Sequence, residues 1–334
     1  MQGRWVLVLA GAVAAGSLVN GQAQPRLNPM VDLLSQGKPV FGLYAPSNRR
    51  LGGGPPGAAP GSVVSPPVMM PQKSAAELAS EALANHKTDF IFDGSMEGGM
   101  ARALPAFTDF VKGMAATGAF AKSPMKALTH PIVVKMHEIA PDPKVAVASI
   151  GTQLNLGVSG IMFVTVESAE EARTGVAAMR FASKGGTRSE NVGQAPALWG
   201  MNEAEYLQKA DLWPLNPNGE LINWTIVESK EGLSKVREIA AVPGIGVLWP
   251  GAGTLRGIFS TTDANGERKL DEAAWEASIQ QVLAACKEFK VACGYPANAN
   301  DIEMRMKQGF NVFVMNWGNA GFKAIEVGRK AAGR

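Results

Sequence analysis

Short apolar runs alternate with amphipathic stretches along most of the chain. The runs are rich in β-branched residues and are bounded by Gly, Pro or Asp, which is typical of buried parallel strands. The predicted strands are Pro39–Tyr44, Asp89–Asp93, Pro131–Met136, Gly160–Val166, Ile222–Val227, Ile245–Trp249, Lys290–Gly294 and Phe310–Asn316. The predicted helices between them include Ser74–His86, Asp142–Leu156, Ser168–Arg180, Lys230–Ala241, Asp271–Phe289 and Asn300–Gln308.

Eight alternations of strand and helix predict an α/β fold, a single-domain (β/α)8 barrel of the TIM type. A doubly wound open sheet is the structural alternative, and no Gly-x-Gly-x-x-Gly pattern follows the first strand to favour it. Ser168 and Glu171 have the spacing of a capping box, and Gly309 stands where a helix-ending glycine belongs. An extra C-terminal helix at 321–332 is available to pack on the barrel or on a neighbouring subunit.

The first 23 residues have the pattern of a secretory signal peptide. Arg4 precedes the apolar stretch Trp5–Val19, and Gly21 and Ala23 are small residues before a cleavage point after Ala23. We therefore expect a signal peptide over 1–23 and an exported, periplasmic or extracellular barrel domain over 24–334. No stable membrane span is expected after cleavage, although an uncleaved N-terminal anchor stays open as the alternative.

Two further features of the chain each leave two interpretations. The Pro/Gly-rich segment 49–73 follows the first strand, so it is either a lid over a site or a solvent loop. Cys286 and Cys293 either pair in an oxidising compartment or are two small core residues, and their spacing cannot decide.

Composition narrows the class of protein. An apolar fraction of 46% in 334 residues excludes a disordered or collagen-like chain. Against 29 Asp and Glu, 32 Lys and Arg leave a formal charge of only +3, without a block of like charges. Nucleic acid is therefore not an expected partner.

Several stretches resemble the HpcH/HpaI aldolase and citrate lyase β-subunit family in order and spacing, over about residues 28–330. The stretches are Leu156–Arg173, Ile226–Leu233, Ile239–Ala252, Asp89–Gly94 and Met306–Val314. The resemblance implies a TIM barrel, often assembled into homo-oligomers, and a small carboxylate substrate. It also implies cleavage or formation of a carbon–carbon bond next to a 2-oxo acid or acyl group, with a divalent metal (Mg²⁺, Mn²⁺ or Co²⁺).

The chain departs from that family's pattern at several positions. The family's metal-binding Glu falls on Glu228, but its second metal carboxylate falls on Gly253 and its third-strand Arg on Lys135. The Gln before the metal Glu is replaced by Ile226, and a His after the second strand falls at Met96. Because a hard divalent cation needs oxygen ligands, losing a carboxylate removes charge and coordination together.

A replacement set is predicted at the carboxyl ends of the strands. Glu228 and Asp93 are the candidate metal ligands. Lys135, His137 and Glu97 are the candidate catalytic residues: Lys135 binds a carboxylate as a point charge, and His137 or Glu97 acts as acid or base. A period of two points Lys135 and His137 to the same side of the third strand.

Other residues complete the predicted pocket. Gly251, Ala252 and Gly253, with Lys135, are the candidate substrate-binding residues. Four aromatic residues near the same face are available as walls or as barrel-core caps: Tyr44, Trp249, Tyr295 and Trp317.

Two functions follow from this set. The first is an exported, metal-assisted carbon–carbon lyase acting on a 2-oxo acid or related carboxylate. The second is a catalytically silent barrel that binds a small acid or a protein partner. In the second case His137 is a loop histidine bonded to backbone and Glu228 a salt-bridged strand-end carboxylate.

Overall fold

The computed structural model describes residues 26–48, 72–121 and 127–334. Within these ranges eight parallel strands pair in chain order, and the last returns to the first with Val312 opposite Val40. The strands are β1 (Val40–Tyr44), β2 (Phe90–Asp93), β3 (Ile132–Lys135), β4 (Gly160–Phe163), β5 (Leu221–Val227), β6 (Ile245–Pro250), β7 (Ala292–Pro296) and β8 (Val312–Met315). The predicted single-domain (β/α)8 barrel is confirmed. The predicted signal peptide, 1–23, and residues 49–71 of the predicted loop insert lie outside the described residues.

Helices surround the barrel and connect its strands. They are α1 (Pro29–Ser35), α2 (Ala75–Ala84), α3 (Met100–Thr117), α4 (Pro143–Asn155), α5 (Ala169–Met179), α6 (Ala195–Leu198), α7 (Glu203–Lys209), α8 (Lys230–Ser234), α9 (Val236–Ala240), α10 (Ala252–Ile258), α11 (Glu272–Phe289), α12 (Ile302–Gln308) and α13 (Asn319–Ala331). Among the described helices, none combines the length and the apolar character that crossing a bilayer requires.

The structure corrects two predicted elements and adds one helix. The predicted helix 230–241 is two short helices, because the backbone leaves helical geometry at Lys235 (φ −110°, ψ 11°). Lys290 ends α11 in the left-handed region (φ 55°), so β7 begins at Ala292 rather than at Lys290. Helix α3 lies over 100–117, where no helix was named from the sequence.

Side chains alternate between the inside and the outside of the barrel. On β2, Phe90 and Phe92 belong to the interior cluster and Ile91 to the layer between strands and helices. On β3, Val133 is interior and Val134 belongs to the outer layer. This alternation fixes which residues at the strand ends point into the barrel mouth.

Helix α1 closes the opposite end of the barrel. Its buried residues Met30, Val31 and Leu34 belong to the interior cluster. Glu220, just before β5, accepts hydrogen bonds from the backbone N–H groups of Leu27 and Asn28 at 3.2 and 3.1 Å. The amino ends of the strands are therefore plugged, and access to the interior is from the carboxyl ends.

A disulfide joins Cys286 in the last turn of α11 to Cys293 in β7, with the Cα atoms 5.7 Å apart. Both residues are 2% exposed. The structure thus realises the pairing that the sequence left open, and it ties a helix to the barrel strand that follows it.

Candidate functional site

A cavity of about 240 Å³ lies at the carboxyl ends of the strands. Lys135 at the end of β3 and Glu228 just after β5 both line it. Each continues an inward-pointing series, Val133–Lys135 and Trp224–Ile226–Glu228, because side chains two apart share a face of a strand. The alternation that builds the barrel core therefore brings one cation and one anion into its mouth.

Glu228 is held firmly by neighbouring hydroxyl and amide groups. Its side chain is buried, its Oε1 accepts hydrogen bonds from Thr165 N (3.2 Å) and Thr165 Oγ1 (3.3 Å), and its Oε2 accepts one from Thr254 Oγ1 (2.6 Å). A Cβ atom on Gly251 would lie 2.3 Å from the Glu228 Cβ. The loop after β6 can pass this close to the carboxylate only because position 251 is glycine.

Lys135 forms an ion pair with Glu97, which lies in the loop after β2. The Nζ–Oε1 distance is 2.6 Å, with the lysine side chain 18% exposed and the glutamate 45% exposed. Burial, followed by the negative charges of Glu97 and Asp93, raises the pKa of the nearby Tyr44 hydroxyl. The Tyr44 hydroxyl on the cavity wall therefore stays protonated at neutral pH.

His137 lies in a neighbouring open cavity of about 380 Å³ that Glu97 and Thr165 also line. Its Nδ1 is 2.9 Å from the backbone carbonyl of Glu138, and its Nε2 is 3.0 Å from the Ser149 hydroxyl on α4. Both ring nitrogens thus have partners within the chain, as expected for a loop histidine. The ring is adjacent to the Lys135–Glu228 cavity without lining it.

Asp93 lies on the face of its strand that points away from the barrel interior, unlike Lys135 and Glu228. Because Phe92 points into the barrel, Asp93 at the next position does not line the cavity, and its Oδ1 accepts hydrogen bonds from Ser95 N (2.8 Å) and Ser95 Oγ (2.5 Å). The structure therefore does not bring the two predicted metal ligands together in this cavity.

The donor set around Glu228 is sparse for a hard divalent cation. A Cβ on Gly253 would meet nothing within 4 Å, so the position of the family's second carboxylate is open space. In the described ranges no three Asp, Glu, His or Cys side chains converge as metal ligands, and the sequence carries none of these residue types outside those ranges. The protein offers such a cation one carboxylate, which already accepts three hydrogen bonds, so water and substrate would have to supply nearly all of the oxygen ligands.

The two remaining positions that depart from the family's pattern carry buried apolar side chains. Met96 is fully buried in the layer between strands and helices, so it fills space where the family has a histidine. Ile226 is buried inside the barrel and lines the cavity. Neither side chain can exchange protons.

Aromatic rings form the floor and walls of the cavity. Tyr44, Phe92 and Trp249 line it, and Trp249 stacks on Trp224 beneath with ring centroids 5.5 Å apart. Gly294 on β7 makes room for this ring, since a Cβ there would lie 1.9 Å from Trp249. The floor is therefore apolar and excludes water from below.

Two of the four aromatic residues named from the sequence lie elsewhere. Tyr295 packs against Phe310 and receives a hydrogen bond from Arg305 at 3.0 Å in the outer layer. Trp317 packs against Phe322 of α13. Tyr44 and Trp249 alone of the four line the cavity.

Sequence reasoning missed Thr165 and Thr254, the hydroxyl residues that hold Glu228. Thr165 lies just past β4 in the left-handed region (φ 49°), which β-branched residues rarely adopt. Thr254 lies in the first turn of α10. Both residues follow barrel strands within four positions, which makes them candidates for the strand-end face but does not link them to Glu228.

Comparisons with known proteins agree with this architecture. The family model described as HpcH/HpaI aldolase/citrate lyase matches residues 121–326, more than half of the chain. A hydroxypyruvate/pyruvate aldolase of Paraburkholderia phytofirmans is 29% identical over 145 residues, which are 42% of this chain and 50% of that protein. The match thus spans half the length of that relative.

Solved structures show the same fold. An HpcH/HpaI aldolase/citrate lyase family protein from Burkholderia cenocepacia superposes with a TM-score of 0.61 at 22% identity, covering 86% of this chain and 92% of that chain. An HpcH/HpaI aldolase from Desulfitobacterium hafniense gives 0.57 at 16% identity, covering 85% and 88%. With the family model matched over most of the barrel, the chain belongs to the HpcH/HpaI aldolase/citrate lyase family.

Proposed function

We propose that the chain is a carbon–carbon lyase that acts on a 2-oxo acid or a related carboxylate in the Lys135–Glu228 cavity. Its family is named for aldolases and citrate lyases, and the matched relative is a pyruvate aldolase. The observation that carries the proposal is the convergence of one lysine and one buried carboxylate on one cavity at the face where TIM barrels build their active sites.

The candidate residues at the cavity and beside it have the following roles in this proposal. Lys135 attracts the anionic substrate as a compact point charge. Glu97, in contact with Lys135, is the acid or base, and His137 in the adjoining cavity is the alternative for that role. The main chain of 251–253 forms the wall beside Glu228 and limits the size of the substrate.

The predicted dependence on Mg²⁺, Mn²⁺ or Co²⁺ has no support in the donor set of Glu228. We derive no step through a metal. The expectation is tested by titration calorimetry of the purified chain with Mn²⁺, for which we expect heats no larger than those of a Glu228→Gln variant.

Three expectations from the sequence complete the proposal: removal of residues 1–23, export, and assembly into a homo-oligomer. N-terminal sequencing of the protein recovered outside the cytoplasm tests the first two. Light scattering of the purified protein tests the third, and a monomer mass would overturn it.

A catalytically silent barrel is the second candidate function, and one observation favours it. Both oxygens of Glu228 are occupied by donors of the chain itself, which is what a structural carboxylate requires. In this case the cavity binds a small acid, or the surface binds a protein, without cleavage.

Release of pyruvate from a 4-hydroxy-2-oxo acid decides between the two functions. We expect turnover by the wild type and a loss of about 100-fold or more for Glu228→Gln, the range for removing a positioned charged group. The matched control is Glu231→Gln, three residues away on an exposed position that pairs with Lys235. No turnover by folded wild type, with retained binding of pyruvate, would establish the silent barrel instead.

A further inference from the structure

We infer that Lys135 is a covalent catalyst, whose amine forms an imine with the 2-oxo carbon of the substrate. This inference rests on the proposed lyase function and deepens it by naming the electron acceptor of the reaction. Breaking a bond next to a carbonyl requires a group that accepts the electron pair. A divalent metal and a protonated imine are the two usual acceptors.

The lining of the cavity favours the imine. The donor set at Glu228 is short of ligands for a metal, as described above. Among the described residues that line the cavity, Lys135 is the sole cation and the sole amine. A lysine partly buried against apolar walls is the setting in which amines act as nucleophiles.

Lys135 is also placed to reach a small substrate. Its backbone is fixed in β3, paired with Met162 of β4, and its side chain continues the inward series of the strand. Tyr44, Phe92 and Trp249 surround the same space, so a bound 2-oxo acid would be enclosed by rings on one side and faced by the amine. Aromatic rings that exclude water from one side of the cavity slow hydrolysis of an imine before cleavage.

Glu97 supplies the proton transfer that imine formation needs. The lysine reacts as the free amine, and the Glu97 carboxylate 2.6 Å from Nζ is positioned to take its proton. Since the Glu97 side chain is 45% exposed, it can exchange protons with solvent while the lysine stays enclosed. Glu228 provides a second negative charge on the cavity, which stabilises the iminium once it has formed.

The reaction balances without an external oxidant or reductant. The amine adds to the 2-oxo carbon and the carbonyl oxygen leaves as water, whose two protons come from the lysine ammonium, one of them through Glu97. In a 4-hydroxy-2-oxo acid the C3–C4 bond then breaks, its electron pair forms an enamine, and the 4-hydroxyl proton passes to Glu97. An aldehyde leaves, Glu97 protonates C3, and water releases pyruvate and restores the amine.

Borohydride trapping tests the inference directly. The purified full chain is incubated with pyruvate and sodium cyanoborohydride in the presence of a chelator, digested, and analysed by tandem mass spectrometry. We expect a reduced pyruvate adduct on Lys135, and none at this position in Lys135→Arg, which keeps the positive charge. Lys144→Arg, an exposed lysine on α4, is the matched control and should be labelled at Lys135 like the wild type.

The outcomes separate the inference from the proposed function. No adduct on Lys135, or labelling spread evenly over exposed lysines, overturns the imine, and so does cleavage by Lys135→Arg at the wild-type rate. If pyruvate is released but no adduct forms on Lys135, the lyase function stands and the imine is refuted. If an adduct forms on Lys135 but no 4-hydroxy-2-oxo acid is cleaved, the imine is supported and the proposed lyase function is refuted.

Discussion

Replacing Gly251 with alanine should disturb the site through one steric contact. The new Cβ would lie 2.3 Å from the Cβ of Glu228 and 2.6 Å from its Oε2, distances that real Cβ atoms essentially never show. The backbone itself tolerates alanine, because the φ of Gly251 is −71°. The effect of Gly251→Ala therefore reports on the packing of Glu228, whose atoms are the three nearest to the added Cβ.

The size of the effect follows from the two ways the site can respond. If Glu228 stays in place, overpacking costs about 1–3 kcal/mol. If its carboxylate swings away, it loses the 2.6 Å hydrogen bond from Thr254 Oγ1, and a bond to a charged group contributes about 1.5–3 kcal/mol. By either route, the free energy of unfolding should fall by about 1–3 kcal/mol.

Urea unfolding followed by circular dichroism measures this loss as a lower midpoint with an unchanged slope. Gly253→Ala is the matched control two residues away, where a Cβ meets nothing within 4 Å, and its stability should stay within about 0.5 kcal/mol of wild type. A wild-type midpoint for Gly251→Ala, or equal losses in both variants, would show that the loop does not fit against Glu228 as described.

Three other perturbations address the metal, the disulfide and the pH dependence of stability. Gly253→Asp places a second carboxylate in open space on the cavity of Glu228, so calorimetry should detect stronger Mn²⁺ binding than in the wild type. Identical titrations of the two proteins would contradict the claim that the site lacks metal ligands. Reducing the Cys286–Cys293 disulfide should lower the free energy of unfolding by about 2–3 kcal/mol on the chain-entropy model, measured with and without dithiothreitol; a Cys286→Ser/Cys293→Ser protein should not respond to the reductant. Burial lowers the pKa of His130 below its ordinary value of 6.5, so its contribution to stability is present above that pH and is lost as pH falls through the lowered pKa. Urea midpoints at pH 7 and pH 5 should therefore differ more in the wild type than in His130→Gln, and parallel curves would refute the assignment.

The barrel could be predicted from the sequence because its signals are local. Each strand is a short apolar run that a reader recognises within a few residues, and each connection carries helix caps or a terminating glycine. The inward direction of Lys135 also follows from local alternation, since Val133 and Lys135 share a face of β3. Glu228 likewise follows the interior residues Trp224 and Ile226.

The support of the site could not be predicted because it is non-local. Thr165 and Thr254 reach Glu228 across 63 and 26 positions of the chain, and no periodicity links residues so far apart. Asp93 shows that a position at a strand end is not sufficient. It is the last residue of β2, yet it is one residue out of phase with the interior side chains of that strand. Nearness to a strand end selects candidates, and the phase of the alternation decides which of them enter the cavity.

Two departures from the family's pattern, Gly253 and Lys135, are consistent with each other when the charge and chemistry of the site are considered together. The resemblance predicts a carboxylate where the chain has Gly253 and an arginine where it has Lys135. Losing the carboxylate alone would weaken the binding of a metal, which the resemblance predicts as the acceptor of the electron pair from the breaking bond. An arginine keeps its proton in proteins and cannot form an imine, whereas a lysine amine can act as a nucleophile. In this inference Lys135 supplies, in one side chain, the positive charge of the arginine and, as an imine, an electron acceptor that does not depend on a carboxylate at 253.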